Sequence, residues 1–172
     1  LVSVHPGCSV YDRCGDGHQW RCLDRLDNQQ DLNVETPKIT LFSVHKDAMA
    51  AAVDAFARDW PQAKTDNLLD DGLFRWVGET EGVVPGMYEP FEAHTRYMVD
   101  RGADAILFTC SAFRPCIDAV IPKHSIPMLK PNDAMIEQAL ETGPRIAVLA
   151  TVAGTIPSVS EEIEAMALAR GQ

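Results

Sequence analysis

From residue 37 onward, short apolar runs of strand length alternate with longer segments whose apolar residues recur at helical spacing. Residues 73–85 lack a clear period, which predicts a loop or lid with a helical turn. The pattern predicts five strands, at 38–45, 64–69, 103–109, 126–130 and 145–151. It also predicts five helices, at 47–60, 85–100, 113–121, 132–141 and 158–170. We expect Ser158 or Ser160 to be the N-cap of the last helix.

The regular alternation of strand and helix predicts an α/β fold with an open, mostly parallel sheet and helices on both faces. The run at 103–109 has few polar interruptions, as expected for a strand that is buried on both sides. In such sheets the loops after the strands gather at one edge. The residues expected at this edge are His45, Asp70, Cys110 to Ala112, Lys130 and Thr151 to Thr155.

The composition of the chain limits the kinds of molecule that we expect it to bind. A formal net charge of -10 excludes nucleic acid and an anionic membrane surface, because both would repel the chain. No run approaches the roughly 18 apolar residues of a membrane span, and the first residues lack a secretory profile, so the expected location is cytoplasmic.

Residues 1–36 differ from the rest in having no sustained apolar period, and we expect a poorly ordered extension. They carry five side chains of types that bind zinc, but the cysteines are too widely spaced for the usual paired ligands, and we expect no metal. These side chains are His5, Cys8, Cys14, His18 and Cys22. The odd number of cysteines in the chain, five, favours reduced thiols over a disulfide framework.

Four segments together resemble the aspartate/glutamate/hydantoin racemase superfamily, over nearly everything from about Lys38 to the C-terminus. They are HKDAMAAAVDAFARDWPQAKTDNLLDDGL, GADAILFTCSAFRPCIDAV, IPMLKPNDAMIEQAL and PRIAVLATVAGTIPS. The strand that ends in Cys-Ser is the most specific of the four. The resemblance implies two similar flavodoxin-like lobes that face each other. In the racemases each lobe offers one cysteine to the substrate, and no metal or organic cofactor takes part.

The resemblance implies that Cys110 is a catalytic acid/base that moves the α-proton of a small-molecule carboxylate or amino-acid-like substrate. A position just before a helix is expected to lower the pKa of its thiol. The backbone amides of Ser111 and Ala112, with the Ser111 hydroxyl, would bind the substrate carboxylate. The other substrate-binding residues that the resemblance implies are Thr151 and Thr155, in LATVAGT, and Ser43 and His45, at the end of the first strand.

Structural interpretations stand beside these roles. Cys110 itself has the alternative of a small buried hydrophobic residue. We expect Cys116 to pack in the core. Asp70 and Asp71 are either site residues or turn formers that cap their own backbone. Lys130 either attracts a carboxylate or is solvated.

The sequence departs from the superfamily in its second half. We expect a first lobe at 37–143 and only the start of a truncated second lobe at 144–172, without a counterpart of Cys110. Three explanations stay open: a fragment of a racemase, a non-catalytic remnant that binds a carboxylate or a partner chain, and a relative of the single-cysteine decarboxylases and isomerases. An exposed edge on the incomplete lobe would favour a homo-oligomer.

Overall fold

The computed structural model describes residues 12–13, 20–21, 36–80, 82–150 and 155–171. Its strands are β1 (Asp12–Arg13), β2 (Trp20–Arg21), β3 (Lys38–Ser43), β4 (Lys64–Leu69), β5 (Ala105–Phe108) and β6 (Met128–Leu129). Its α-helices are α1 (Lys46–Asp59), α2 (Asp71–Glu79), α3 (Tyr88–Asp100), α4 (Arg114–Val120), α5 (Asp133–Thr142) and α6 (Ile156–Ala169). Single 3₁₀ turns occupy Pro85–Met87, Ser111–Phe113 and Ile121–Lys123.

Strands β3 to β6 form a parallel sheet in the spatial order β4-β3-β5-β6. The second of these strands in the chain therefore lies outside the first, as in flavodoxin-like sheets. The predicted α/β class and parallel sheet are confirmed. Near the N-terminus, β1 and β2 pair antiparallel over two residues each. The remainder of the predicted extension lies outside the described residues.

Helices cover both faces of this sheet, because successive side chains of a strand point to opposite sides. On one face, Ile39 and Leu41 of β3 pack with Ala105 of β5 and Ala52 of α1. On the other face, the alternate residues of β3 and β5 meet α3 and α4. That larger core includes Phe42, Ile106, Phe108, Phe91, Met98, Cys116, Ile117 and Val120.

Four phenylalanines of the larger core form what we call the aromatic cluster: Phe42, Phe91, Phe108 and Phe113. Phe91 lies at its centre, with ring centroids 4.8 Å from Phe42, 5.5 Å from Phe108 and 5.7 Å from Phe113. Offset ring contacts at such distances add to the free energy gained by burial. The aromatic cluster therefore fixes α3 against the two central strands.

The prediction of a loop or lid with a helical turn at 73–85 is wrong for residues 73–79, because α2 occupies Asp71–Glu79. Asp70 caps this helix by accepting hydrogen bonds from the backbone N–H groups of Gly72 at 3.0 Å and Leu73 at 3.3 Å. Leu73 is buried and Val77, one turn later, packs against the same core. The cap and this apolar pair outweigh the low helix propensity of the two glycines in the segment.

The segment after α2 makes a close contact with α2 itself. A Cβ atom added to Gly86 would lie 3.1 Å from the indole of Trp76, so glycine at this position lets the 3₁₀ turn pass directly beside the ring. Val83 and Val84 of the linker also pack against the larger core.

The predicted strand at 145–151 is absent over its described residues, since 145–150 have no regular secondary structure. A strand needs a hydrogen-bonded neighbour, and an apolar run alone does not provide one. Leu149 is 98% exposed. The proposed serine caps are also wrong, because α6 begins at Ile156 with Thr155 in the cap position. The Ser158 hydroxyl instead donates to the Thr155 carbonyl at 3.0 Å.

The chain divides into two compact units, Leu1–Lys130 and Pro131–Gln172. In the second unit α5 contacts α6, and the buried residues include Ile136, Leu140 and Glu162. The Asn132 amide donates to Glu162 at 3.0 Å within this unit, and Arg170 pairs with Glu137 at 3.4 Å. Burial raises the pKa of Glu137, an effect that Arg170 opposes.

Replacing the central ring of the aromatic cluster tests how much this cluster contributes to the free energy of unfolding. We expect Phe91→Ala to lower the free energy of unfolding by about 3–5 kcal/mol, since the side chain is fully buried and leaves a cavity. Guanidinium unfolding followed by circular dichroism measures this loss. Tyr97→Ala is the control on the same helix, because Tyr97 is 56% exposed and its removal is expected to cost less than about 0.5 kcal/mol. Equal losses from the two variants would contradict the assigned packing.

Candidate functional site

The candidate site lies where the order of the strands reverses, between β3 and β5. Chain connections leave these two neighbouring strands in opposite directions, and parallel α/β sheets bind ligands in the crevice outside the carboxyl ends of such strands. A cavity of about 10 Å³ opens at this point. Its walls are Phe42, Val44, Phe91, Phe108, Cys110 and Phe113.

The hydrogen-bonded ladder extends one residue beyond each strand and sets a row of side chains at this edge. The Asp70 N–H donates to the Ser43 carbonyl at 3.0 Å, and the Thr109 N–H donates to the Phe42 carbonyl at 3.1 Å. Phe42 is in register with Leu68 and Phe108. Extending this register by two residues places Asp70, Val44 and Cys110 at equivalent positions, and Val44 and Cys110 pack with the larger core that contains the aromatic cluster.

Cys110 is a half-buried free thiol that lines the cavity. Burial raises the pKa of this thiol, while a hydrogen bond from the backbone N–H of Ala112 lowers it, and burial is the larger effect. The expectation that the helix start would lower the pKa is therefore wrong. The segment directly after Cys110 is a single 3₁₀ turn, Ser111–Phe113, which offers one amide to the sulfur and little helix dipole.

Ser111 and Ala112 form the turn after the thiol. Ser111 is partly exposed and Ala112 is exposed, so both lie at the mouth of the site. The Ala112 amide, predicted to bind a substrate carboxylate, hydrogen-bonds the Cys110 sulfur. Their substrate-binding role stays a prediction.

Cys116 occupies the core position that the sequence predicts. It is fully buried on α4, and burial raises the pKa of its thiol to about 11. Because the side chain has no access to solvent, this thiol is unavailable to a substrate.

Ser43 and His45 lie at the end of β3 but face different surroundings. Ser43 is fully buried, and its hydroxyl accepts a hydrogen bond from Thr109 at 2.9 Å. His45 is the N-cap of α1, where Nδ1 accepts from the Asp47 N–H at 3.3 Å. Its ring contacts Phe74, with centroids 5.0 Å apart. Binding roles for the two residues stay predictions.

Asp70 joins the site to α3 through a histidine that the sequence did not single out. His94 Nε2 donates to Asp70 Oδ2 at 2.8 Å, and both side chains are about one-third exposed. The His94 ring also packs edge-on against Phe42, with centroids 5.6 Å apart. Asp70 is thus both a helix cap, one of the two roles predicted for it, and the partner of a titratable ring. Asp71 is the exposed first residue of α2.

Lys130 is neither solvated nor open to a ligand in this structure. Its Nζ forms an ion pair with Asp118 of α4, and its side chain is 17% exposed. The other oxygen of Asp118 lies 3.6 Å from Nε of Arg114. The two cations thus meet one shared carboxylate beside the Cys110 turn.

The other predicted ligands fall elsewhere. Thr151 lies outside the described residues, as do the five N-terminal cysteines and histidines considered for zinc, and Thr155 belongs to the second unit. Within the part of the chain that the structure describes, no three His, Cys, Asp or Glu side chains are arranged as metal ligands. No helix in the same part combines the length and the apolar character needed to cross a membrane.

Fold and site together define a class of protein: a parallel α/β protein with a cysteine thiol at the switch point of its sheet. The model of the Asp/Glu/hydantoin racemase family matches residues 80–171, which is more than half of the chain and includes β5 with Cys110. The chain belongs to this family. No match was found among the curated proteins or among the solved structures.

The Asp70–His94 pair escaped sequence reasoning because its members are 24 positions apart. Helical spacing predicts that His94 lies on α3, and the end of a strand predicts that Asp70 lies at the carboxyl edge of the sheet. Neither pattern shows how α3 is rotated about its axis, and this rotation decides which of its side chains face Asp70. The available signal was weak: a histidine one turn after Phe91, on a helix whose apolar face had to cover the ends of the strands.

Alkylation with iodoacetamide tests the environments of the two thiols. We expect Cys110 to react in the folded chain and Cys116 to be protected, because of these two described thiols Cys110 is partly exposed and Cys116 is fully buried. Since burial raises the pKa of Cys110, its rate should still climb roughly tenfold per unit as the solution passes pH 8.5, the ordinary thiol value. Peptide mass mapping of timed samples measures both rates. A rate for Cys110 that levels off below pH 8.5 would contradict the dominance of burial.

Proposed function

We propose that this chain catalyses cofactor-independent α-proton transfer on a small amino acid or related carbonyl compound, with the Cys110 thiol as acid/base. The observation that carries the proposal is the placement of a half-buried thiol against a cavity at the switch point of a racemase-family sheet. The proposed activity is that of an isomerase.

The surroundings of Cys110 suit a base for a weak carbon acid. Three phenylalanine side chains of the cavity wall exclude water from one side of the sulfur: Phe91, Phe108 and Phe113. A desolvated thiolate has a higher proton affinity, and therefore a larger driving force for removing an α-hydrogen. The Ala112 amide limits this effect by holding part of the negative charge.

The size of the cavity sets the position of the substrate. A space of about 10 Å³ holds about one water molecule, so the substrate would lie at the mouth and present its α-carbon to the sulfur. The Ser111 hydroxyl and N–H, one residue beyond the thiol, would then bind the carboxylate and the charge that develops on it. Ala112 would act on the sulfur, a different role from the one expected from the sequence.

The reaction needs no metal or organic cofactor in this proposal, because the proton is accepted and returned by side chains. It does require that Cys110 stay reduced. We therefore infer a reducing compartment such as the cytoplasm. The substrate would be a small amino acid or a related carbonyl compound, and the formal charge of -10 argues against nucleic acid as a partner.

Exchange of the α-hydrogen in deuterium oxide tests the proposal. We expect the chain to exchange the α-hydrogen of at least one of aspartate, glutamate or a substituted hydantoin, offered as separate enantiomers, and Cys110→Ser to lower that rate by about 10²- to 10⁴-fold. Proton NMR follows the loss of the α-signal. Catalysed exchange should also rise with pH beyond the ordinary thiol range, since burial raises the pKa of Cys110.

Cys116→Ala provides the matched control, because it removes the other thiol of the described residues, which lies on α4, and Cys116 does not line the cavity. Its exchange rate per folded molecule should stay within about twofold of the parent chain, although core burial makes it less stable. Absence of exchange with every compound in the parent chain would instead favour a non-catalytic member of the family.

A further inference from the structure

We propose that Thr109 and Ser43 position the Cys110 thiol from the opposite face of the sheet, through a hydrogen bond between their hydroxyl groups. The inference rests on the proposed function and names residues that act on Cys110 without touching the substrate. It starts from a polar side chain in an apolar strand. Ser43 has no solvent access, and the two residues before it, Leu41 and Phe42, are apolar and equally buried. A hydroxyl in such a place costs free energy unless it is hydrogen-bonded.

The two hydroxyl groups lie on the side of the sheet that α1 covers. Ser43 comes two residues after Leu41, and Thr109 comes two residues after Leu107. Both leucines pack in the core on the side of α1, and side chains two positions apart on a strand point the same way. The cavity opens on the other side. The sheet itself therefore separates a substrate at the cavity from both hydroxyl groups.

The hydroxyl bond lies where the paired backbone of β3 and β5 ends. The register of the two strands runs as far as Phe42 and Phe108, and the Thr109 N–H then donates to the Phe42 carbonyl at 3.1 Å. Ser43 and Thr109 are the next pair of positions, and Thr109 Oγ1 donates to Ser43 Oγ at 2.9 Å. Hydroxyl pairs across neighbouring strands stabilise the pairing of those strands. This bond therefore continues the connection between β3 and β5 beyond their register.

The position of this bond couples it to the thiol. Thr109 is joined covalently to Cys110, and Ser43 to Val44, and both Cys110 and Val44 line the cavity. A fixed distance between the two hydroxyl groups thus fixes the separation of these two cavity walls. Proton transfer is sensitive to such placement, because a displacement of about 1 Å can lower a rate by about 10²-fold. We therefore expect loss of the bond to slow proton transfer and to leave substrate binding unchanged.

Thr109→Val tests this role, because valine keeps the shape of threonine and removes only the hydroxyl group. We expect kcat for exchange of the α-hydrogen in deuterium oxide to fall by about 10- to 10²-fold, with KM unchanged within about twofold. Thr109→Ser keeps the hydroxyl group and should exchange at close to the parental rate. A role in packing alone would give neither the separation of kcat from KM nor the rescue by serine.

A double-mutant cycle separates the bond from the packing of its two members. Ser43→Ala should lower kcat as far as Thr109→Val does. The double variant should be no slower than either single variant, because all three lack the same bond.

Thr95→Val is the matched control. The Thr95 side chain is also fully buried, but its hydroxyl donates to the Phe91 carbonyl at 2.9 Å within α3 and joins no strands. Its kcat should stay within about twofold of that of the parent chain, since a hydroxyl bonded to the carbonyl one turn earlier adds little to a helix. Thermal melts followed by circular dichroism show that each variant is folded.

Alkylation of Cys110 tests the same inference without catalysis. Loosening the strand end would expose the sulfur, which is half-buried in the parent chain. At one fixed pH, its rate of reaction with iodoacetamide should therefore rise severalfold in Thr109→Val and in Ser43→Ala, and should return to the parental value in Thr109→Ser. Peptide mass mapping of timed samples measures these rates.

Three kinetic results would overturn the inference: parental kcat in Thr109→Val, additive losses in the double variant, or a change confined to KM. Parental alkylation rates in both single variants would overturn it as well. Failure of the proposed function is seen separately, as absence of exchange in the parent chain itself, and the alkylation rates then decide on the positioning role alone.

Discussion

The parallel pairing of β3 with β5 is the constraint on which the site depends. It joins the first and third strands of the sheet and sets Phe42 beside Phe108, so that the next residues on the same face, Val44 and Cys110, are neighbours. A shift of one residue would turn both to the face of α1. The aromatic cluster opposes such a shift, since Phe42 and Phe108 pack jointly against Phe91.

The same packing determines the electrostatics of the thiol. The aromatic rings that hold α3 in place also remove water from Cys110, and that loss raises the pKa of the thiol more than the Ala112 amide lowers it. Stability and proton affinity therefore have one origin. A more polar wall would increase the fraction of thiolate at neutral pH, at the expense of the packing between helix and sheet.

The sequence allowed the central elements to be predicted because each has a strong local pattern. β3, β4 and α3 are apolar runs or amphipathic segments bounded by proline, glycine or aspartate, and their predicted limits agree with the structure to within a few residues. The racemase family was recognisable from the Cys-Ser turn for the same reason. Cys116 was assigned to the core from its position inside a short helix.

The failures concern features that depend on partners distant in the chain. The run at 145–150 has the composition of a strand, but composition does not supply a neighbouring strand. The helix after Asp70 was missed because its cap and its buried Leu73 count for more than its glycines. The balance of burial and hydrogen bonding at Cys110, like the meeting of Asp70 with His94, is decided by tertiary packing alone.

The approach of Gly86 to Trp76 has a practical consequence. One of the three tryptophans of the chain covers the backbone of the segment that leads into α3, and a Cβ atom at Gly86 would press against its ring. Its emission should therefore respond to displacement of that segment, which makes the indole a built-in optical reporter of how the entrance to the third helix moves.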